Sequence, residues 1–149
     1  MKSGTPEKKK TLKLKIEDHI NFKIIGISSH ENDYRLVWSI NEMLKIQFVK
    51  IENLIVHIQK LKEDLEFSRY LYHDEDRYLK LILISNRCPD GFLFPEVKNL
   101  DFVLQIMGEI HDAELKEMVK KLKTVPVIAT ALILSPEKIK GIGNILAED

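Results

Sequence analysis

Glu96 and Asp101 are the two side chains whose types and spacing come nearest to an acid–base pair. Carboxylates that work as acid and base on one scissile bond stand about 5–10 Å apart. Side chains five positions apart on a continuous strand point to opposite faces, so these two can meet only if Val97-Lys98-Asn99 reverses the chain. The competing expectation is that Pro95 ends a strand while both carboxylates bind backbone N–H groups in the connecting loop, a common use of acidic side chains in turns. His73-Asp74-Glu75-Asp76 offers oxygen ligands of the kind Mg²⁺ or Ca²⁺ takes, without the glycine kink and ligand spacing of a cation loop, and reads as a solvated turn. Glu109, His111, Asp112 and Glu114 read as the start of a helix. The five histidines show no HExxH or related spacing, and Cys88 has no second thiol, so no metal site and no cofactor are expected. As a nucleophile Cys88 would need a neighbouring base. Placed before Pro89-Asp90-Gly91, it reads as a turn residue.

The elements that must position these residues are legible in the hydrophobic pattern. Thr11 to Ile16 alternates apolar and basic residues and predicts a half-buried strand, and Phe22 to Ile27 is a second apolar run. Ser28-Ser29-His30-Glu31 has capping-box spacing and predicts a helix to about Leu44, with Leu36, Val37, Ile40, Met43 and Leu44 as its buried stripe. From Ile46 to Phe102 the period changes to that of strands: Phe48 to Ile51, Leu54 to Ile58, Glu66 to Tyr72, Tyr78 to Ile84, and Leu100 to Met107. Pro89-Asp90-Gly91 predicts a tight turn that sends Gly91 to Phe94 back along the preceding strand. Asp112 is expected to cap a helix with Leu115, Met118, Val119 and Leu122 inward, acids at its start and Lys120, Lys121 and Lys123 at its end, as the helix dipole favours. Val127 to Leu134 is apolar on both faces and predicts an interior strand. Ser135-Pro136 opens a short closing helix. The fold class is α+β: a mostly antiparallel meander with helices near 30–44 and 112–123 on one face. Residues 1–10 read as a disordered basic tail, 11–140 as a single domain, and 141–149 as a loose tail.

At Phe94-Pro95-Glu96 with Leu100-Asp101-Phe102 the chain resembles the IPExxxVDY family of bacterial proteins. Gly26-Ile27-Ser28-Ser29 before Asp33-Tyr34-Arg35-Leu36 is similar to that family too, as is Leu83-Ile84-Ser85-Asn86-Arg87, so the likeness spans roughly Leu12 to Met107. The resemblance implies no activity, since the family is named for its motif. Pro95, Glu96, Asp101 and Phe102 are the motif positions, structural or binding. Tyr34, Arg35, Asn86 and Arg87 are candidate binding positions. The chain departs from the pattern with Phe94 for Ile, Leu100 for Val and Phe102 for Tyr. The last removes a phenol that could donate a proton or a hydrogen bond.

Composition narrows the function classes. Lysine plus arginine and aspartate plus glutamate number 23 each, so the formal charge is zero and the basic excess usual in nucleic-acid binders is missing. Lys8-Lys9-Lys10 with Lys13 and Lys15 reads as a solvated tail. Gly141-Ile142-Gly143-Asn144-Ile145-Leu146-Ala147 matches the glycine hairpin by which helix-hairpin-helix proteins present amides to phosphate. That hairpin needs a second helix, and here the glycines read as a helix C-cap. A polar N-terminus, a lone cysteine and no long apolar run lead to the expectation of a cytoplasmic protein. The leading function is a non-catalytic binding or regulatory module, a homodimer through a strand edge or a binder of another cytoplasmic protein. The alternatives are a hydrolase or transferase using Glu96 and Asp101, and a nucleic-acid-binding protein.

Overall fold

The computed structural model describes residues 21–60 and 62–146. The predicted strand at Thr11 to Ile16 and the basic tail lie outside these residues. Eight strands, three helices and two short 3₁₀ turns follow in the order β1 (Phe22–Ser29), α1 (Asp33–Leu44), β2 (Val49–Ile58), β3 (Glu63–Asp74), β4 (Leu79–Ser85), β5 (Arg87–Cys88), β6 (Gly91–Phe92), a 3₁₀ turn at Pro95–Val97, β7 (Phe102–Met107), α2 (Asp112–Lys123), β8 (Ile128–Leu134), a 3₁₀ turn at Pro136–Lys138, and α3 (Ile142–Ile145).

Six strands form one antiparallel sheet in the order β2-β3-β4-β7-β1-β8. The expected meander is the run β2-β3-β4-β7, and β1 is inserted between β7 and β8. The fold is α+β. Strand periodicity explains why two cores form, one on each side. Ile25 and Ile27 of β1, Leu81 and Leu83 of β4, and Leu104 and Ile106 of β7 face α1 and α2. Their alternate neighbours Ile24, Ile82, Ile84 and Val103 face the other way, onto Phe94, Ile139 and Ile142. Both long helices thus lie on one face, as their stripes predict, with Leu36, Val37 and Ile40 of α1 and Leu115, Val119 and Leu122 of α2 buried.

Among the described residues no long helix lies on the second face. The motif segment and residues 135–146 cover it, which corrects the expectation of a loose tail from Gly141. Ile142 and Leu146 are buried, and buried Gln105 Nε2 donates to the Leu146 carbonyl at 2.9 Å. Two apolar side chains in a tail four residues from α3's start give the tail a reason to dock. Gly26 of β1 makes room on this face: a Cβ there would run into Leu100 Cδ1, with Leu134 Cδ1 beside it.

Local corrections have local causes. The Ser28 capping box does not form, because β1 continues to Ser29. Ser29 Oγ instead donates to the Val127 carbonyl at 2.7 Å, and Asn32 caps α1 by accepting from Arg35 N. Met43, predicted in the buried stripe, is exposed. His111, one residue before the expected Asp112, is the N-cap of α2, its N–H donating to Glu114 Oε1 at 3.0 Å. The two apolar runs after Ile46 are one strand, β2, irregular between Ile51 and Leu54. Gly91–Phe92 pairs with Arg87–Cys88 in a separate two-stranded ribbon. Ser135 makes no side-chain cap, and Pro136 starts a 3₁₀ turn. β8, predicted as an interior strand, lies at the edge of the sheet formed by the described residues. Among the described residues no helix is long and apolar enough to cross a membrane.

Candidate functional site

The motif segment is organised by Asn86, which follows β4 and is fully buried. Its Nδ2 donates to the carbonyls of Leu100 at 2.9 Å and Val97 at 3.1 Å, and lies 3.5 Å from that of Phe94. Its Oδ1 accepts from Phe94 N at 2.8 Å. Its own backbone joins Asp101 O and Leu93 N. An amide carries both donors and acceptors, so one side chain can close a loop whose backbone has no strand partner. Phe94, thus held, is buried in the core of the second face, Leu100 is buried against Gly26, and Phe102 is buried on the helix face.

The motif carboxylates bind different parts of the chain. Asp101 Oδ2 accepts from Ser29 N, 72 residues earlier, at 2.7 Å, and its Oδ1 pairs with Arg87 Nη2. Glu96 Oε2 accepts from Lys140 N, 44 residues later, at 3.0 Å. Both therefore bind backbone N–H groups, but on remote segments and not in their own loop. They share no partner among these contacts. Pro95 opens the 3₁₀ turn at its first position, where its missing N–H leaves nothing unpaired.

Stretches far apart in sequence meet at this end of the sheet. The loop after β1, the first turn of α1, the end of β4 and Asp101 surround a polar cleft of about 460 Å³, lined also by Asn53, Glu66 and Ser68. Most of its charged groups have partners: Arg87 with Asp101, Glu31 with Arg35 at 3.1 Å, and Asp33 with the Tyr70 hydroxyl. Burial, then the Asp33 charge and hydrogen bond, push the Tyr70 pKa up to about 12, so the phenol stays protonated at neutral pH. Of the predicted binding residues, Asn86 and Arg87 act within the fold. Arg35 pairs with Glu31, and Tyr34 stands exposed one turn before exposed Trp38. Of the four motif residues, Asp101 and Phe102 line this cleft and Pro95 and Glu96 do not.

No protein-family model, no curated protein and no solved structure matches this chain.

A second cavity, about 180 Å³, lies between α1, α2 and the sheet, with Phe48, Leu81, Leu104 and Met118 in its apolar lining. Arg77 closes its rim by pairing with Asp74 at 3.0 Å and Glu114 at 3.7 Å. Among the described residues no group of histidine, cysteine, aspartate and glutamate is arranged to hold a metal ion.

The remaining surface feature is the outer side of β8. Among the described residues β8 pairs with β1 alone. Its sequence Ile-Ala-Thr-Ala-Leu-Ile-Leu has neither charge nor proline, and Leu132 and Ile133 are 37% and 43% exposed. The opposite edge is defended. β2 carries Lys50, Glu52 and an irregular register, Lys50 Nζ donates to the Ile51 carbonyl at 2.7 Å, and Arg69 Nε donates to the Glu52 carbonyl at 2.9 Å. Charges, bulges and side-chain bonds to edge carbonyls discourage pairing with another chain. β8 has no charged residue, and its one irregularity falls near its start, at Ala129 opposite Ser28 and Ser29, away from Leu132 and Ile133. The sequence reading missed Leu132 and Ile133 because a run apolar on both faces is what an interior strand shows. The small residues Ala129, Thr130 and Ala131 were the contrary signal.

Proposed function

We propose that this chain is a non-catalytic protein-binding module that takes a partner polypeptide as an added strand along β8. The observation that supports it is the bare edge: seven uncharged residues with backbone groups directed away from β1 and two half-exposed aliphatic side chains. Strand addition draws affinity from main-chain hydrogen bonds and specificity from alternate side chains. The non-catalytic part is supported by the site chemistry, since Asp101 and Glu96 are both engaged by backbone N–H groups. Membership of the IPExxxVDY family belongs to the same proposal. Its support is that Ser29, Asn86, Arg87 and Asp101, from three of the resembling stretches, contact one another directly or through one loop. Residence in a reducing cytoplasm is a further part, supported by the single free Cys88.

The test compares the chain with its Leu132→Thr, Ile133→Thr double variant, which keeps strand propensity while removing apolar contact. A specific protein retained by the first and lost by the second, with both chains melting within a few degrees, is the expected result. Equal retention by both would sink the reading.

A further inference from the structure

We infer that the β8 partner is an acidic extended segment, an inference that rests on the reading of β8 as the docking strand. The charge beside that edge carries it. In α2, positions 112, 116, 120 and 123 follow one another at helical spacings and share one flank. Glu114, Met118 and Lys121 occupy the opposite flank, where they line the cavity between α2, α1 and the sheet. Lys116 sits at the end of β8, in a depression of about 450 Å³ whose other charged residues are Lys23, Asp112 and Glu137 and whose apolar lining includes Ile133 and Leu134. Lys116, Lys120 and Lys123 are all exposed, and none takes part in an ion pair among the described residues. A chain of zero formal net charge thus places three lysines against one aspartate along the flank of α2 beside β8.

A strand added outside β8 would run below this flank, with alternate side chains on the helix side of the sheet. Glutamate or aspartate there would meet the lysines, and lysine or arginine would be repelled. The same charges argue against a second copy as occupant. Antiparallel pairing of β8 with itself about a two-fold axis would bring two lysine-rich flanks together. A nucleic acid would satisfy the lysines and leave the edge amides, Leu132 and Ile133 without a match.

The experiment titrates the full chain with three capped nonapeptides in which valine alternates with glutamate, threonine or lysine, following the amide resonances of Ile128–Leu134. The glutamate peptide is expected to bind at least about 10-fold more tightly than the lysine peptide, with affinity falling as salt rises. The Lys116→Glu, Lys120→Glu, Lys123→Glu variant should reverse that order. Equal binding of all three peptides would overturn the acidic preference and leave strand addition standing. Binding of none, with the β8 resonances unmoved, would overturn both. Overturning results also include a dimer with protected β8 amides, protection of those amides in the free monomer, and single-stranded RNA shifting the lysines but not β8.

Discussion

At the motif end of the sheet, side chains capable of chemistry are held by the fold: Asn86 by the loop it closes, Asp101 by Ser29 and Arg87, Glu96 by Lys140, and Asp33 by Tyr70. Along β8, residues with no reactive group pair with one strand among the described residues, and Leu132 and Ile133 are partly exposed. The first region is rich in functional groups and engaged internally. The second is chemically plain and has unmatched backbone. Reactive residue types are therefore a poor guide to where this molecule meets others. A better guide is which donors, acceptors and apolar surfaces lack a partner, because unmatched groups gain most from an incoming chain.

This contrast predicts that substitutions at the motif end change stability, while those beside β8 change binding. The largest effect is expected from Asn86→Ala, which strands buried backbone groups at Phe94 and Leu100 and should cost about 3–5 kcal/mol in urea unfolding. A loss under about 1 kcal/mol would mean that the loop does not depend on it. Asp101→Ala leaves the N–H of buried Ser29 without its acceptor and should cost about 2–3 kcal/mol. Its failure would be an unchanged unfolding midpoint.

Alkaline pH probes the same end. The Tyr70 pKa is raised to about 12 in the folded chain from an unfolded value of 10.0, so its contribution is complete below the unfolded value. As pH climbs from there towards the folded value, the unfolded chain ionises first and stability falls, by about 2 kcal/mol from this residue. Tyr70→Phe should flatten that part of the profile, and identical profiles for the two chains would exclude the assignment. Glu96→Gln keeps an acceptor for Lys140 N at an exposed position and should cost only about 0.5–1 kcal/mol by thermal unfolding. A collapse of the fold would show that the carboxylate charge matters more than its hydrogen bond. The smallest stability effect belongs to Lys116→Glu, Lys120→Glu, Lys123→Glu, which should shift unfolding by less than about 1 kcal/mol while reversing peptide preference. A large destabilisation would place those lysines among the residues that hold the fold.

Much of the fold was legible because its causes are local. The apolar runs at Phe22 to Ile27 and Tyr78 to Ile84, the stripe Leu36-Val37-Ile40 at helical spacing, and the dipole-matched charges of α2 are all local patterns. The cap at Ser28 was misread because the local pattern met a tertiary competitor, the pairing that carries β1 to Ser29. The tail after Gly141 was misread because the cavity that Ile142 fills is built by residues 40 to 120 positions away.

For the candidate sites the division is sharper. The sequence by itself determined that Glu96 and Asp101 are too far apart on a strand to act together without a chain reversal, and that Phe102 offers no hydroxyl. It also determined an uncharged strand at 128–134 and a helix with basic residues gathered towards its end. Tertiary packing sets which partners the two carboxylates bind, that Asn86 closes the motif loop, and that β8 is outermost among the described strands. The pairings of β1 and the hydrogen bonds of the two carboxylates join residues 44 to 110 positions apart, and residue periodicity carries no record of which strand lies next to which.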